Sequence, residues 1–399
     1  MSPNPRIFDI RGQSLKLETE ADVEPLLKGY DPKYIEEIYL GGNTIGVDAS
    51  KAFAAFIDKT ESLRIADLSS IFIGRLISEI PLALTHLCTS LLPKQTLTLI
   101  DLSDNAFGER SIAPLLPLLT HNRFQTLRLK NNGLGPAAGI QIANALRESA
   151  KLTKAEGKVS NLRTVICGQN RLENGSASAW AAAFEEHGTL EEVRMPQNGI
   201  WMAGIRELAR GLKKNPNLRY LDLQDNTFTD DTDEGLMAVD AWAETLASLP
   251  ALGTLNLSDC VLSHDGEVPS VLQKLASGSN KRLVDLQLQN NNLDVSSVTV
   301  LADAISTHLS SLKRLDLQDN DADEDDEVYD TLREALTERG GRLLVTEEDE
   351  EEERAAIEAA KEEEEEEEEK AAAAPTEVEV ALEKEADELA NLMGKVHIQ

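Results

Sequence analysis

Residues 124–134 read FQTLRLKNNGL. Apolar residues stand at Phe124, Leu127, Leu129 and Leu134, and an asparagine, Asn132, fills the slot three positions after Leu129. A period of two at 127 and 129 fits one face of a short strand. The Asn-Asn-Gly that follows is turn chemistry. The same frame returns as LTLIDLSDNAF (97–107), LRYLDLQDNTF (218–228), LVDLQLQNNNL (283–293) and LKRLDLQDNDA (312–322). Weaker copies are IYLGGNTI (38–45), LRTVICGQNRL (162–172) and LEEVRMPQNGI (190–200).

The asparagine column therefore runs Asn43, Asn105, Asn132, Asn170, Asn198, Asn226, Asn291 and Asn320, with Ile71 and Cys260 filling two slots at intervals of 27 to 38 residues. This is the leucine-rich repeat signal in its longer strand-plus-helix form. After each strand the chain must turn sharply inside a dry core. A buried Asn carries an acceptor and two donors, so it can satisfy the backbone groups stranded there. The column should form a hydrogen-bonded ladder, with Cys260 as a small substitute bearing a weak thiol donor.

Stretches with apolar residues every three or four positions follow the turns: 49–59, 136–150, 177–187, 204–214 and 297–309. Strand, helix and parallel strand give right-handed crossovers. Helices are wider than strands, so the stack curves. The expected fold is an α/β leucine-rich repeat horseshoe of ribonuclease-inhibitor type, with a concave parallel sheet and convex helices. It should occupy residues 1–346, capped by an atypical first strand in RIFDIRGQSLKLE and a last helix at 331–342. The longer steps at 86–96, 152–161 and 229–240 are expected to be helix extensions or rim loops.

Charge separates the remainder. The 399-residue chain carries a net −32, and residues 347–399 hold 22 acidic and five basic residues, or −17. Like-charge runs with little apolar surface do not repay ordering, so this acidic C-terminal tail is expected to lack fixed structure. A weak helical stripe is expected at Leu382, Ala386, Leu389 and Met393. The acidity argues against nucleic acid and anionic membrane and for a basic protein partner. The three cysteines lack metal or CxxC spacing and read as buried thiols of a reducing compartment. The N-terminus has no signal-peptide pattern, and an intracellular, cytoplasmic monomer without its own cofactor or metal is expected.

The residue preceding each column position faces away from the core, giving an exposed row of Gly42, Ser70, Asp104, Asn131, Gln169, Gln197, Asp225, Asp259, Asn290 and Asp319. That row is either simple turn polarity or a partner-binding edge. The second repeat, LRIADLSSIFIGR (63–75), places Ile71 in the column and follows it with Phe72, Ile73, Gly74 and Arg75. Apolar residues beside an arginine resemble a binding hot spot, with Phe72 as a candidate contact. Core filling by Ile71 and Ile73 with a solvated Arg75 explains the same letters. No phosphate-binding loop, HExxH or catalytic constellation stands out, so autonomous enzymology is not expected.

GNTIG (42–46), SSIFIGR (69–75), LKNNGLGP (129–136), ICGQNRLENGS (166–176) and the acidic tail together resemble the Ran GTPase-activating protein family, its fungal members in particular. The resemblance implies binding of Ran-GTP and acceleration of GTP hydrolysis, with GTP and Mg2+ carried by Ran. It implies that Asn131 helps hold Ran's own catalytic glutamine toward the attacking water. Arg75 then contributes to binding and activation without inserting as an arginine finger. Asp225 is implied as a Ran contact by similarity and by its place in the row, whereas Arg171, Asp259 and Asn290 follow from location alone. Ran-binding protein 1 is the implied further partner. The nuclear-pore-directing domain of vertebrate relatives is not expected after this tail. The other readings are a non-catalytic inhibitor or binding module for a basic protein, and a silent signalling scaffold.

Overall fold

The computed structural model describes residues 5–230, 232–264 and 266–373, with side chains as far as 362. The chain divides into two compact units, one ending at Val345 and the other beginning at Thr346. In the first unit, strands of three residues line up in chain order, from Ile7–Asp9 and Glu37–Tyr39 to Arg314–Asp316 and Arg342–Leu344, in one 12-stranded sheet. The pairings are parallel and in register, for example Leu127 with Ile100 on one side and Val165 on the other. Each central residue, such as Ile100, Leu127, Val165 or Leu221, is buried, and its two neighbours look onto the opposite, concave face.

Helices on the other face complete the horseshoe. Gly135–Ala155, Glu173–His187 and Met202–Leu212 pack in sequence order. Their spacing depends on small residues: a Cβ at Gly211 would collide with the backbone of Ala181. The extra residues at 152–161 lengthen the first of these helices to 21 residues. Of those at 229–240, residues 233–240 form the first part of helix Asp233–Leu246.

The column is a ladder. Asn132 Nδ2 donates to the carbonyls of Leu102 and Leu129 (3.0 and 2.9 Å), and its Oδ1 accepts from the Asn105 amide at 3.1 Å. Asn132's own amide donates to Asn170 Oδ1, and Asn170's to Asn198 Oδ1. Each side chain thus closes groups in its own repeat and the one before. Leaving such a group unpaired costs about 1–3 kcal/mol. Cys260 takes its slot with Sγ donating to the Leu223 carbonyl at 3.3 Å. Ile71 is buried and brings no polar side chain to the ladder; its amide donates to Asn105 Oδ1 and its carbonyl accepts from the Ile45 amide, both at 2.9 Å.

The ends depart from the expected caps in detail. At the amino end, Ile7–Asp9 joins the main sheet, while Lys16–Leu17 pairs with Thr44–Ile45 in a separate two-stranded ribbon. At the carboxyl end the last helix is Val328–Thr337, and the chain then continues into strand Arg342–Leu344. The helix expected at 331–342 thus forms over 328–337, and the strand after it, which was not expected, pairs with Arg314–Asp316 as the last strand of the sheet.

The second unit begins with a helix, Glu347–Ala373, in a segment whose charge run led us to expect no fixed structure. Glu and Ala are good helix formers, and acids in the first turn favour the helix dipole. Thr346 Oγ1 accepts from the Asp349 amide while Asp349 Oδ2 accepts from the Thr346 amide, a reciprocal cap. The stripe expected at Leu382 to Met393 lies outside the described residues.

Candidate functional site

The loops leaving the carboxyl ends of the strands form one rim of the horseshoe. Every residue of the row before the column has a left-handed backbone, from Gly42 (φ 76°) and Ser70 (53°) through Asn131 (54°) to Asn290 (53°) and Asp319 (56°). Gly, Asn and Asp adopt that conformation at least cost. The composition of the row is therefore set largely by the turn, and its polarity alone does not mark a site.

Asn131 is oriented by its partner, an arrangement that Asn290 and Asp259 repeat further along the rim. It is exposed, and its Nδ2 donates to Asp104 Oδ1 of the preceding repeat at 2.9 Å. A carboxylate only accepts, so Asp104 fixes which end of the amide faces it and turns Asn131 Oδ1 outward as an acceptor. Asp104 was legible as a row member, but its role was not, because the pair meets only when repeats 27 residues apart stack.

Arg171 is also exposed, one position past the column, at φ 54°. The equivalent positions in the neighbouring repeats are glycines, Gly133 (60°) and Gly199 (62°). Arginine holds this backbone at a cost of about 1 kcal/mol. Further along the rim, Asp259 accepts from Asn290 Nδ2 at 2.9 Å and from Gln224 Nε2 at 3.1 Å, which ties two of the location-based candidates into one cluster. Asp225 is exposed on the same row, two strands from Asn290 along the sheet. On the concave face nearby, burial holds the Asp222 carboxyl above the usual carboxylate range.

Arg75 and Phe72 occupy different places from those expected. Phe72 is 4% exposed and packs against Phe107 with ring centroids 6.3 Å apart, so its ring supports the loop from within. The exposed apolar residues of that loop are Ile73, Leu76 and Ile77. The Arg75 side chain is only 7% exposed and bonds Glu18 Oε2 at 2.6 Å. Its Nη2 reaches the carbonyls of Thr44 (3.2 Å) and Leu17 (3.4 Å). It pins the amino-terminal ribbon to the second repeat and holds the Glu18 carboxyl below its ordinary range. Nothing in the sequence links residues 57 apart, and Glu18 was not foreseen.

Among the described residues no group of His, Cys, Asp and Glu is arranged to hold a metal ion. No described helix is long and apolar enough to cross a membrane. The three cysteines are buried and unpaired, and burial pushes the thiols of Cys88 and Cys167 up to about 12.

Comparison with known proteins gives four findings. A leucine-rich repeat pattern matches residues 214–231. Ran GTPase-activating protein 1 of Saccharomyces cerevisiae is 36% identical over 339 residues, spanning 82% of this chain and 81% of the yeast protein. The Xenopus laevis protein of the same name is 42% identical over 198 residues, spanning 48% of this chain and 34% of the frog protein. Among solved structures, a leucine-rich repeat protein of Leptospira interrogans shares 18% identity over 78% of this chain and 72% of its own, with a TM-score of 0.42.

Proposed function

The chain belongs to the Ran GTPase-activating protein family, and from that premise we propose that it stimulates hydrolysis of GTP bound to Ran by positioning Ran's own catalytic glutamine. Similarity to the yeast protein over four-fifths of both chains carries the reading. In phosphoryl transfer, water and the leaving oxygen lie in line and charge spreads over the phosphoryl oxygens. GTP and Mg2+ are carried by Ran; water adds to the γ-phosphorus, the bond to the β-phosphate oxygen breaks, and GDP stays on Ran while inorganic phosphate leaves. This chain supplies a rigid edge.

In this mechanism Asn131 Oδ1, oriented by Asp104, accepts from the glutamine side-chain amide and leaves the glutamine's carbonyl free to hold the water. Confining a mobile group removes a positional penalty at the moment of reaction. Arg75 keeps its bonds to Glu18, Thr44 and Leu17 and shapes the rim, and it contributes to activation without itself inserting as an arginine finger. Arg171, Asp225, Asp259 and Asn290 are the docking contacts, their acids facing a basic partner. The protein acts as a cytoplasmic monomer, with Ran-binding protein 1 as a second protein on Ran.

The test is turnover of Ran-GTP with catalytic amounts of this chain. Strong stimulation is expected, and the Asn131→Ala variant should lower kcat. Absence of stimulation by the unmodified chain overturns the reading in favour of a non-catalytic binding module.

A further inference from the structure

Asn131 lies in the loop after strand Thr126–Arg128, and on the loops that leave the carboxyl ends of the strands, exposed apolar side chains lie on both sides of it at equal distance in the stack. Two strands toward the amino end, the loop after Ile65–Asp67 exposes Ile73 (58%), Leu76 (66%) and Ile77 (55%). Two strands toward the carboxyl end, the loop after Glu192–Arg194 exposes Trp201 (56%). The other two tryptophans, Trp180 and Trp242, are buried.

Neither exposure arises from loose backbone. In the first loop Arg75 N donates to the Phe72 carbonyl at 3.1 Å, and Thr44 Oγ1 donates to the Ile73 carbonyl at 3.1 Å. Leu76 N donates to Glu79 Oε2 at 3.3 Å. Trp201 sits between the buried Ile200 and Met202, and its amide donates to Asn174 Oδ1 of the preceding repeat at 2.8 Å. It occupies the N-cap of helix Met202–Leu212 without making a cap bond. Ser, Thr, Asp or Asn at that position would stabilise the helix by accepting from its first free amides. The helices Asp233–Leu246 and Val295–Ile305 have such caps in Thr232 and Asp294.

The spacing fits one interface. Four repeats span roughly 19 Å at the sheet spacing of about 4.8 Å, and roughly 36 Å at the helix spacing of about 9 Å. A standard interface buries about 800 Å² on each partner, a patch about 30 Å across. Binding energy concentrates in aromatic and aliphatic anchors that exclude water around polar groups. The geometry points to Trp201 and the Ile73, Leu76, Ile77 patch as paired apolar anchors of the surface that docks Ran-GTP, bracketing Asn131 between them. This rests on the function proposed above. The anchors act in docking, and Asn131 acts in the chemical step.

Steady-state stimulation of Ran-GTP hydrolysis by the full chain separates the two. Trp201→Ser and the double variant Leu76→Ala/Ile77→Ala should each raise KM for Ran-GTP at least tenfold while kcat at saturation stays within twofold. Trp201→Ser adds a cap, so its melting temperature should hold or rise, which excludes misfolding as the cause. If the unmodified chain stimulates and Trp201→Ser keeps its KM, the anchors are overturned and the function stands. If the unmodified chain does not stimulate, the function is overturned and the anchors fall with it.

Discussion

Replacing Asn131 by glycine, alanine and aspartate separates what the turn needs from what the proposed chemistry needs. The backbone at 131 is left-handed at φ 54°, so glycine fits it freely and alanine pays about 1 kcal/mol. Each variant loses the exposed bond to Asp104, worth about 0.5–1 kcal/mol net. Urea unfolding should therefore place Asn131→Gly within about 1 kcal/mol of the unmodified chain and Asn131→Ala about 1–2 kcal/mol below it. Activity should not follow that order. Both variants lack the outward acceptor, and removing one preorganised hydrogen bond near a transition state costs about 10²-fold, or about 2.7 kcal/mol. Asn131→Asp keeps an acceptor but sets a second carboxylate against Asp104, so the side chain should turn away and kcat should fall as well. Single-turnover hydrolysis of Ran-GTP at saturating activator is the assay. An Asn131→Gly variant with full kcat would refute the reasoning, since the residue would then serve only the turn.

Arg75→Ala should speed amide exchange at residues 16–18 and 44–46 by releasing the ribbon that Arg75 ties down, and unchanged exchange there would contradict its pinning role. Arg171→Gly should raise stability to urea by up to about 1 kcal/mol, because it relieves a left-handed arginine where both neighbouring repeats use glycine. His187, buried with Nδ1 2.6 Å from Ser160 Oγ, has its pKa lowered to about 4, first by burial and against the opposing pull of the Leu146 backbone. The unfolded chain then binds the extra proton between about pH 6.5 and 4, so about 3 kcal/mol of stability present above pH 6.5 should be lost as pH falls across that window. His187→Gln should flatten that part of the stability curve. Finally, an aromatic disulfide reagent at pH 8 should leave Cys88, Cys167 and Cys260 unlabelled in the folded chain and label all three in urea, as expected of buried thiols with raised pKa values.

The sequence alone determined the repeat. A period-two strand, a column of Asn and glycine-marked turns each admit few local structures, and together they set the register, the ladder and the identity of the outward row. Local rules suffice there because every repeat meets the same neighbours. Tertiary structure decided whatever depends on which repeats touch. Asp104 reaches Asn131 across 27 residues, Glu18 reaches Arg75 across 57, and Phe72 turns inward onto Phe107 while Ile73 beside it turns out. Letters at one position carry no record of side-chain direction in an irregular loop, or of a partner brought up by stacking. The asparagine at 131 could be placed on an edge from sequence, but the direction of its amide is set by a carboxylate in the repeat before it.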